Sequence, residues 1–114
     1  MPFQITITAV AEGQLRALTS REQRVLRAAV ISRLGEHPAT PTRSIKRLRP
    51  NPLAQFELRV GDLRALYNVE GNEVVLLIIG RKVGNKLIVE GEEFHAHQNN
   101  PAQPPGERPA GDVE

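Results

Sequence analysis

The chain has 114 residues, with 15 Lys and Arg against 13 Asp and Glu, a net charge of +2 and no cysteine. That length fits one domain with one modest core. The missing thiols exclude disulfide staples and thiolate metal sites. The longest apolar run, Val74 to Ile79, is far too short to span a membrane, and the N-terminus lacks the basic and apolar regions of a signal peptide. A cytoplasmic protein without membrane contact is expected.

Phe3-Gln4-Ile5-Thr6-Ile7 alternates apolar and polar side chains and predicts a strand. Ala9 to Leu18 turns helical, weakened by Gly13. Thr19-Ser20-Arg21-Glu22 has the spacing of a capping box. The helix it opens repeats Leu26, Ala29, Val30 and Leu34 at spacings of three and four, and Gly35 can supply a left-handed cap. Two adjacent helices make an αα-hairpin.

Residues 35–54 hold four prolines and read as a long connection with little regular structure, carrying Arg43, Lys46, Arg47 and Arg49. Strands follow at Gln55 to Val60, Leu63 to Val69 and Glu73 to Ile79, with a hairpin turn at Gly61-Asp62. The third run is apolar on both faces, as a covered central strand should be. A turn at Val83 to Lys86 precedes a short strand, Leu87 to Val89. From Gln98 the chain becomes rich in proline and poor in large apolar residues, so residues 99–114 read as a disordered tail behind a domain of residues 1–98. The order of elements predicts an α+β domain: an N-terminal αα-hairpin packed on a small antiparallel sheet of about four strands, with the second sheet face left free.

Charge is uneven along the chain. Residues 99–114 sum to −2 and residues 1–98 to +4, and arginine outnumbers lysine twelve to three. Arginine presents a planar fork of donors that suits phosphate, so an anionic partner and a plain solubilising surface are both consistent with this composition.

The stretch from Leu48 to Val69, above all Leu58-Arg59-Val60-Gly61-Asp62-Leu63-Arg64-Ala65-Leu66-Tyr67, and its continuation from Val74 to Lys82, resemble the RelE/ParE toxin family of type II toxin–antitoxin systems. The shared shape is a basic loop, a strand ending in Arg, a Gly turn, Arg-x-x-Tyr, and an apolar strand ending in Gly and basic residues. The resemblance implies a toxin neutralised by a cognate antitoxin. One branch of the family is an mRNA endoribonuclease acting in the ribosome; another inhibits DNA gyrase and cuts nothing. A third possibility is a non-toxic binding module that keeps the fold.

By that resemblance Arg64 matches an arginine that holds the scissile phosphate, and Arg81 or Lys82 the second basic residue of the cutting branch. The alternative is a structural arginine paired with Glu57 or Asp62; projection from a central strand favours the functional reading. Arg59, with Lys46, Arg47 and Arg49 of the basic loop, would bind RNA or simply face solvent. The cutting branch carries two lysines where this chain has Gln55 and Glu57, and Leu87 or Ile88 stands near the place of its late aromatic. A glutamate repels phosphate, yet other ribonucleases use one as a general base. Tyr67 is expected to pack in the core with its hydroxyl at the edge. His37 reads as a loop residue, and His95 and His97 as part of a frayed terminus rather than a metal pair. No cofactor or metal is implied.

Overall fold

The computed structural model describes residues 2–94. The elements are β1 (Gln4–Ile7), α1 (Ala9–Arg16), α2 (Ser20–Leu34), β2 (Ile45–Arg47), β3 (Phe56–Val60), β4 (Leu63–Glu70), β5 (Glu73–Val83), β6 (Lys86–Val89) and β7 (Glu92–Phe94). The class is α+β, as expected. The expected tail, residues 99–114, lies outside the described residues, as do His95 and His97.

Local chemistry sets both helix starts. The Thr8 hydroxyl accepts from Ala11 N–H at 3.1 Å and opens α1. At α2 the capping box is complete: Thr19 Oγ1 accepts from Glu22 N–H, and Glu22 Oε1 accepts from Thr19 N–H, at 3.1 and 3.0 Å. The other end of α2 departs from expectation. Gly35 stays right-handed, at φ −75°, so its conformation does not require glycine. Space does: a Cβ there would lie 2.8 Å from the Ile31 carbonyl oxygen.

The sheet is larger than the sequence suggests, with seven strands in place of about four. They run β2-β3-β4-β5-β6-β7, each pair antiparallel. β1 joins β5 in parallel, matching Gln4–Ile7 to Glu73–Leu76. The other edge of β5 is taken by β4, so β1 and β6 occupy one edge in tandem, β6 pairing Arg81–Val83. The loop of residues 35–54 is less irregular than predicted, because β2 pairs Ile45 with Leu58 and Lys46 with Glu57.

The helices cover one face of the sheet. Leu15, Leu26, Val30 and Leu34 meet Phe56, Leu58, Leu63, Ala65, Tyr67, Val74, Leu76 and Ile79 in one buried cluster. Tyr67 packs in the core as expected, stacked on Phe56 at 5.5 Å, but its hydroxyl is not at the edge: it is buried and donates to the Pro38 carbonyl at 2.6 Å. Burial pushes its pKa upward. The hydroxyl therefore ties the loop after α2 to the core.

One irregularity decides what faces where. Leu66 pairs with Ile78, but Tyr67 pairs with Leu76, so Leu77 is an extra residue on β5. Such a bulge reverses the alternation beyond it. Val74 and Leu76 face the helices before it, and Ile79 after it. The amide of Ile79 is satisfied by Gln14 of α1, a buried glutamine whose Oε1 accepts at 2.8 Å. No pattern in the sequence singles Gln14 out.

Candidate functional site

Alternation on β3 and β4 sends Glu57, Arg59, Arg64 and Leu66 to the face away from the helices, since their neighbours Phe56, Leu58, Leu63, Ala65 and Tyr67 form the core. Beyond the bulge, β5 contributes Lys82 to this open face, next to Leu87 of β6. Lys46 reaches it as the cross-strand partner of Glu57. The loop after β2 forms one wall. Together Lys46, Leu48, Arg49, Pro50, Asn51, Glu57, Leu66 and Leu87 line a groove of about 490 Å³.

The wall is held by its own side chains. Asn51 Oδ1 accepts from Leu53 and Ala54 N–H at 2.8 and 3.1 Å, and its amide donates to the Arg49 and Ala54 carbonyls at 2.7 and 3.0 Å. Gln55 stays out of the groove's chemistry. Its Oε1 accepts from Val69 N–H at 2.9 Å and its own N–H reaches Asn68 Oδ1 at 2.8 Å. Of the two positions that the resemblance matches to lysines, Gln55 is structural here and Glu57 holds a carboxylate inside the groove.

Glu57 sits between two arginines. Its Oε1 accepts from Arg59 Nε at 3.1 Å, and its Oε2 lies 4.0 Å from Arg64 Nε. The Arg64 side chain is only 12% exposed. Its Nη1 donates to the Gly61 and Leu63 carbonyls, both at 2.8 Å, which fixes the guanidinium against the β3–β4 turn. Gly61 makes that turn at φ +60°. The Nε of Arg64 is buried and has no hydrogen-bond acceptor, alone in this among the side-chain atoms of the described residues. Across from Arg64 stands Gly80. A Cβ at Gly80 would collide with the Ile88 carbonyl oxygen and lie 2.9 Å from Val89 Cγ2, so glycine here lets β6 close against β5.

Two residues expected to share this site lie elsewhere. Arg81 is on the helix side, in register with the core residue Leu63. Its Nη1 and Nη2 grip Glu22 Oε2 and Oε1 at 2.8 and 2.9 Å, with Asp62 Oδ2 at 4.0 Å. This fork holds the Glu22 carboxyl at about 2, well below the usual carboxylate range, helped by the Thr19 amide, and raises Arg81 in turn. Arg47 is cross-strand from the core residue Phe56, with its guanidinium 5.4 Å from the ring centroid. The structure therefore brings Lys46, Arg49, Arg59, Arg64 and Lys82 to the open face, places Arg81 on the helix side, and turns Arg47 onto Phe56, where it lines a second pocket with Arg49. Glu57, marked by the sequence as a departure, is at the centre.

Among the described residues no group of three or more His, Cys, Asp or Glu is placed to hold a metal ion, and no helix is long and apolar enough to cross a membrane. No protein-family model matches the chain, and no curated protein does. Its likeness is to solved structures: the fold matches a chain of the RelBE2 toxin–antitoxin complex from Mycobacterium tuberculosis with a TM-score of 0.63 and 25% sequence identity, over 72% of this chain and 100% of that one.

Proposed function

We propose that this chain is the toxin of a type II toxin–antitoxin system and that it cuts mRNA on the translating ribosome, in the cytoplasm. The observation that carries the reading is the open face of the sheet, where Glu57 lines a groove with Lys46 and Arg49 and its carboxylate lies between Arg59 and Arg64. Likeness to a chain of a toxin–antitoxin complex supports the biological setting.

In this reading Glu57 replaces the lysine chemistry of the cutting branch. Its carboxylate takes the proton of a ribose 2′-hydroxyl. The 2′-oxygen then attacks the adjacent phosphorus, the bond to the 5′-oxygen breaks, and that oxygen takes a proton from water. The products are a 2′,3′-cyclic phosphate end and a 5′-hydroxyl end. Arg59 contacts the phosphate oxygens on which charge builds, and Arg64, behind Glu57 and held rigidly by two carbonyls, adds its positive field without reorganising. Lys46, Arg49 and Lys82 hold flanking phosphates. Arg81 acts at a distance, by pinning α2 to β5. No cofactor is needed.

The partner is a small antitoxin that covers the groove. An acidic segment of it meets Arg49, Arg59 and Lys82, and neutralisation follows from blocked access to phosphate. Co-expression with neighbouring small open reading frames and co-purification tests this.

A second reading, a gyrase inhibitor without catalysis, draws on Gln55 and Glu57 standing where the cutting branch has lysines. Induction without the antitoxin separates the readings. Arrest of protein synthesis before any other change supports RNA cleavage, DNA-damage signalling supports gyrase, and normal growth supports a non-toxic binding module.

A further inference from the structure

The free site is not ready to react. The base that the proposed reaction needs is already bound, since Glu57 Oε1 accepts from Arg59 Nε at 3.1 Å. A donor beside it is idle, since Arg64 Nε is buried without an acceptor, 4.0 Å from the second oxygen of the same carboxylate. Arg64 cannot close that gap itself, because its Nη1 is held by the Gly61 and Leu63 carbonyls. Arg59 is the more accessible partner, at 37% exposed against 12% for Arg64, and is where an incoming anion arrives first.

We propose that a phosphodiester unlocks Glu57 by exchange. The phosphate takes Arg59, and the released carboxylate turns by about an ångström onto Arg64 Nε. Oε2 then accepts from Arg64, and Oε1, freed from Arg59, faces the bound nucleotide. In the free protein the carboxylate stands where the phosphate will stand. Arg59 is thereby never left as an open anion trap, and the base is unmasked only when a phosphodiester is present. The exchange balances charge: Arg59 and Arg64 share one carboxylate in the free protein, and each has its own anion once the phosphodiester is bound. Such a device discriminates between ligands, because an anion too weak to displace a carboxylate leaves the base masked. The inference rests on the proposed reading of this groove as an RNA site, and its substrate class is a phosphodiester backbone.

The test follows the two arginine Nε–H groups by NMR in the full chain. The probe is a short 2′-O-methyl oligoribonucleotide, which offers phosphodiesters but no nucleophile, with inorganic phosphate as a second probe. In the wild type both Nε–H signals should shift together, and the Arg64 signal should move downfield as it gains an acceptor. In Glu57→Ala the Arg59 signal should still shift and the Arg64 signal should not. Glu57→Gln should bind the oligonucleotide about fivefold more tightly, as expected when a like charge some 4 Å away is removed in a wet groove, and should lose cleavage. An Arg64 signal that stays still in the wild type while Arg59 moves overturns the exchange, as does silence of both signals with both probes. Failure of the functional reading looks different: both signals shift as described, yet no RNA is cut.

Discussion

Arg64 and Arg81 stand one register step apart on neighbouring strands and lead opposite lives. Arg81 faces the helices, and both of its Nη groups are taken by the two oxygens of Glu22. Arg64 lies on the open face and keeps an unfilled donor, with the nearest carboxylate hydrogen-bonded to Arg59. A guanidinium with matched partners on every side is a fastener. One that is fixed in place but incompletely matched has interaction free energy left for something that arrives. On the proposed reading the two faces of this sheet divide stability and function between them, and substitutions should divide the same way.

The sharpest test is Arg64→Ala. Translation arrest on induction, or cleavage of ribosome-bound mRNA, should fall by about 100- to 1000-fold, the usual loss when a charge-stabilising donor is removed. The thermal midpoint should drop by only a few degrees, since the two carbonyls it leaves are near the surface turn. Unimpaired arrest would take Arg64 out of the site.

Gln14→Leu attacks the division itself. It strips the acceptor from the buried Ile79 amide that steadies the bulge. Equilibrium unfolding in urea should show a loss of roughly 1–3 kcal/mol. Because the bulge decides the facing of every later residue on β5, arrest should weaken as well, although Gln14 is on the opposite face from the groove. A variant as stable as the wild type would mean that the bulge does not depend on this bond.

Tyr67→Phe belongs to the helix face alone. It deletes the buried bond to the Pro38 carbonyl, at a cost of about 1–2 kcal/mol in the same measurement. Arrest should be unchanged once expression is matched, and a loss of arrest out of proportion to stability would give Tyr67 a part in the chemistry.

The smallest effect concerns pH. Glu22 ionises at about 2 in the folded protein against an ordinary 4.5, chiefly through Arg81. A lowered folded-state pKa adds stability above the ordinary value and forfeits it as pH falls from there toward the folded value. Arg81→Met should therefore be less stable than the wild type at neutral pH, and the two should converge as pH falls from about 4.5 toward 2. A gap that stays constant across that window would show that the pair matters for packing rather than charge.

Much of this architecture is legible in the sequence because it is local. The capping box at Thr19 and Glu22, the turn at Gly61, and the alternation of β3 and β4 each depend on residues a few positions apart. What sequence reasoning misses depends on partners far along the chain. β2 is three residues long and exists because β3 lies beside it. Arg81 is the clearest case. Alternation counted from Val74 and Leu76 sends Arg81 to the open face and Lys82 to the core, and the extra residue at Leu77 reverses both. In the sequence Glu57 stands out only as a misfit to the pattern it resembles, and its place between Arg59 and Arg64 follows from strand register.

The tandem arrangement on β5 has a consequence for how the molecule assembles. One edge of that strand is closed in two instalments, by β1 over Glu73–Leu76 and by β6 over Arg81–Val83. The β6 hairpin forms from adjacent residues and can zip early. The β1 pairing must close a loop of nearly seventy residues, and loops of that span are slow to close. Until they do, the first half of the central strand presents bare backbone donors and acceptors along an apolar run, which is what invites pairing with another chain. The brief interval before the N-terminal strand docks is thus the moment at which this protein is most exposed to aggregation, and the one a binding partner present during synthesis would shorten.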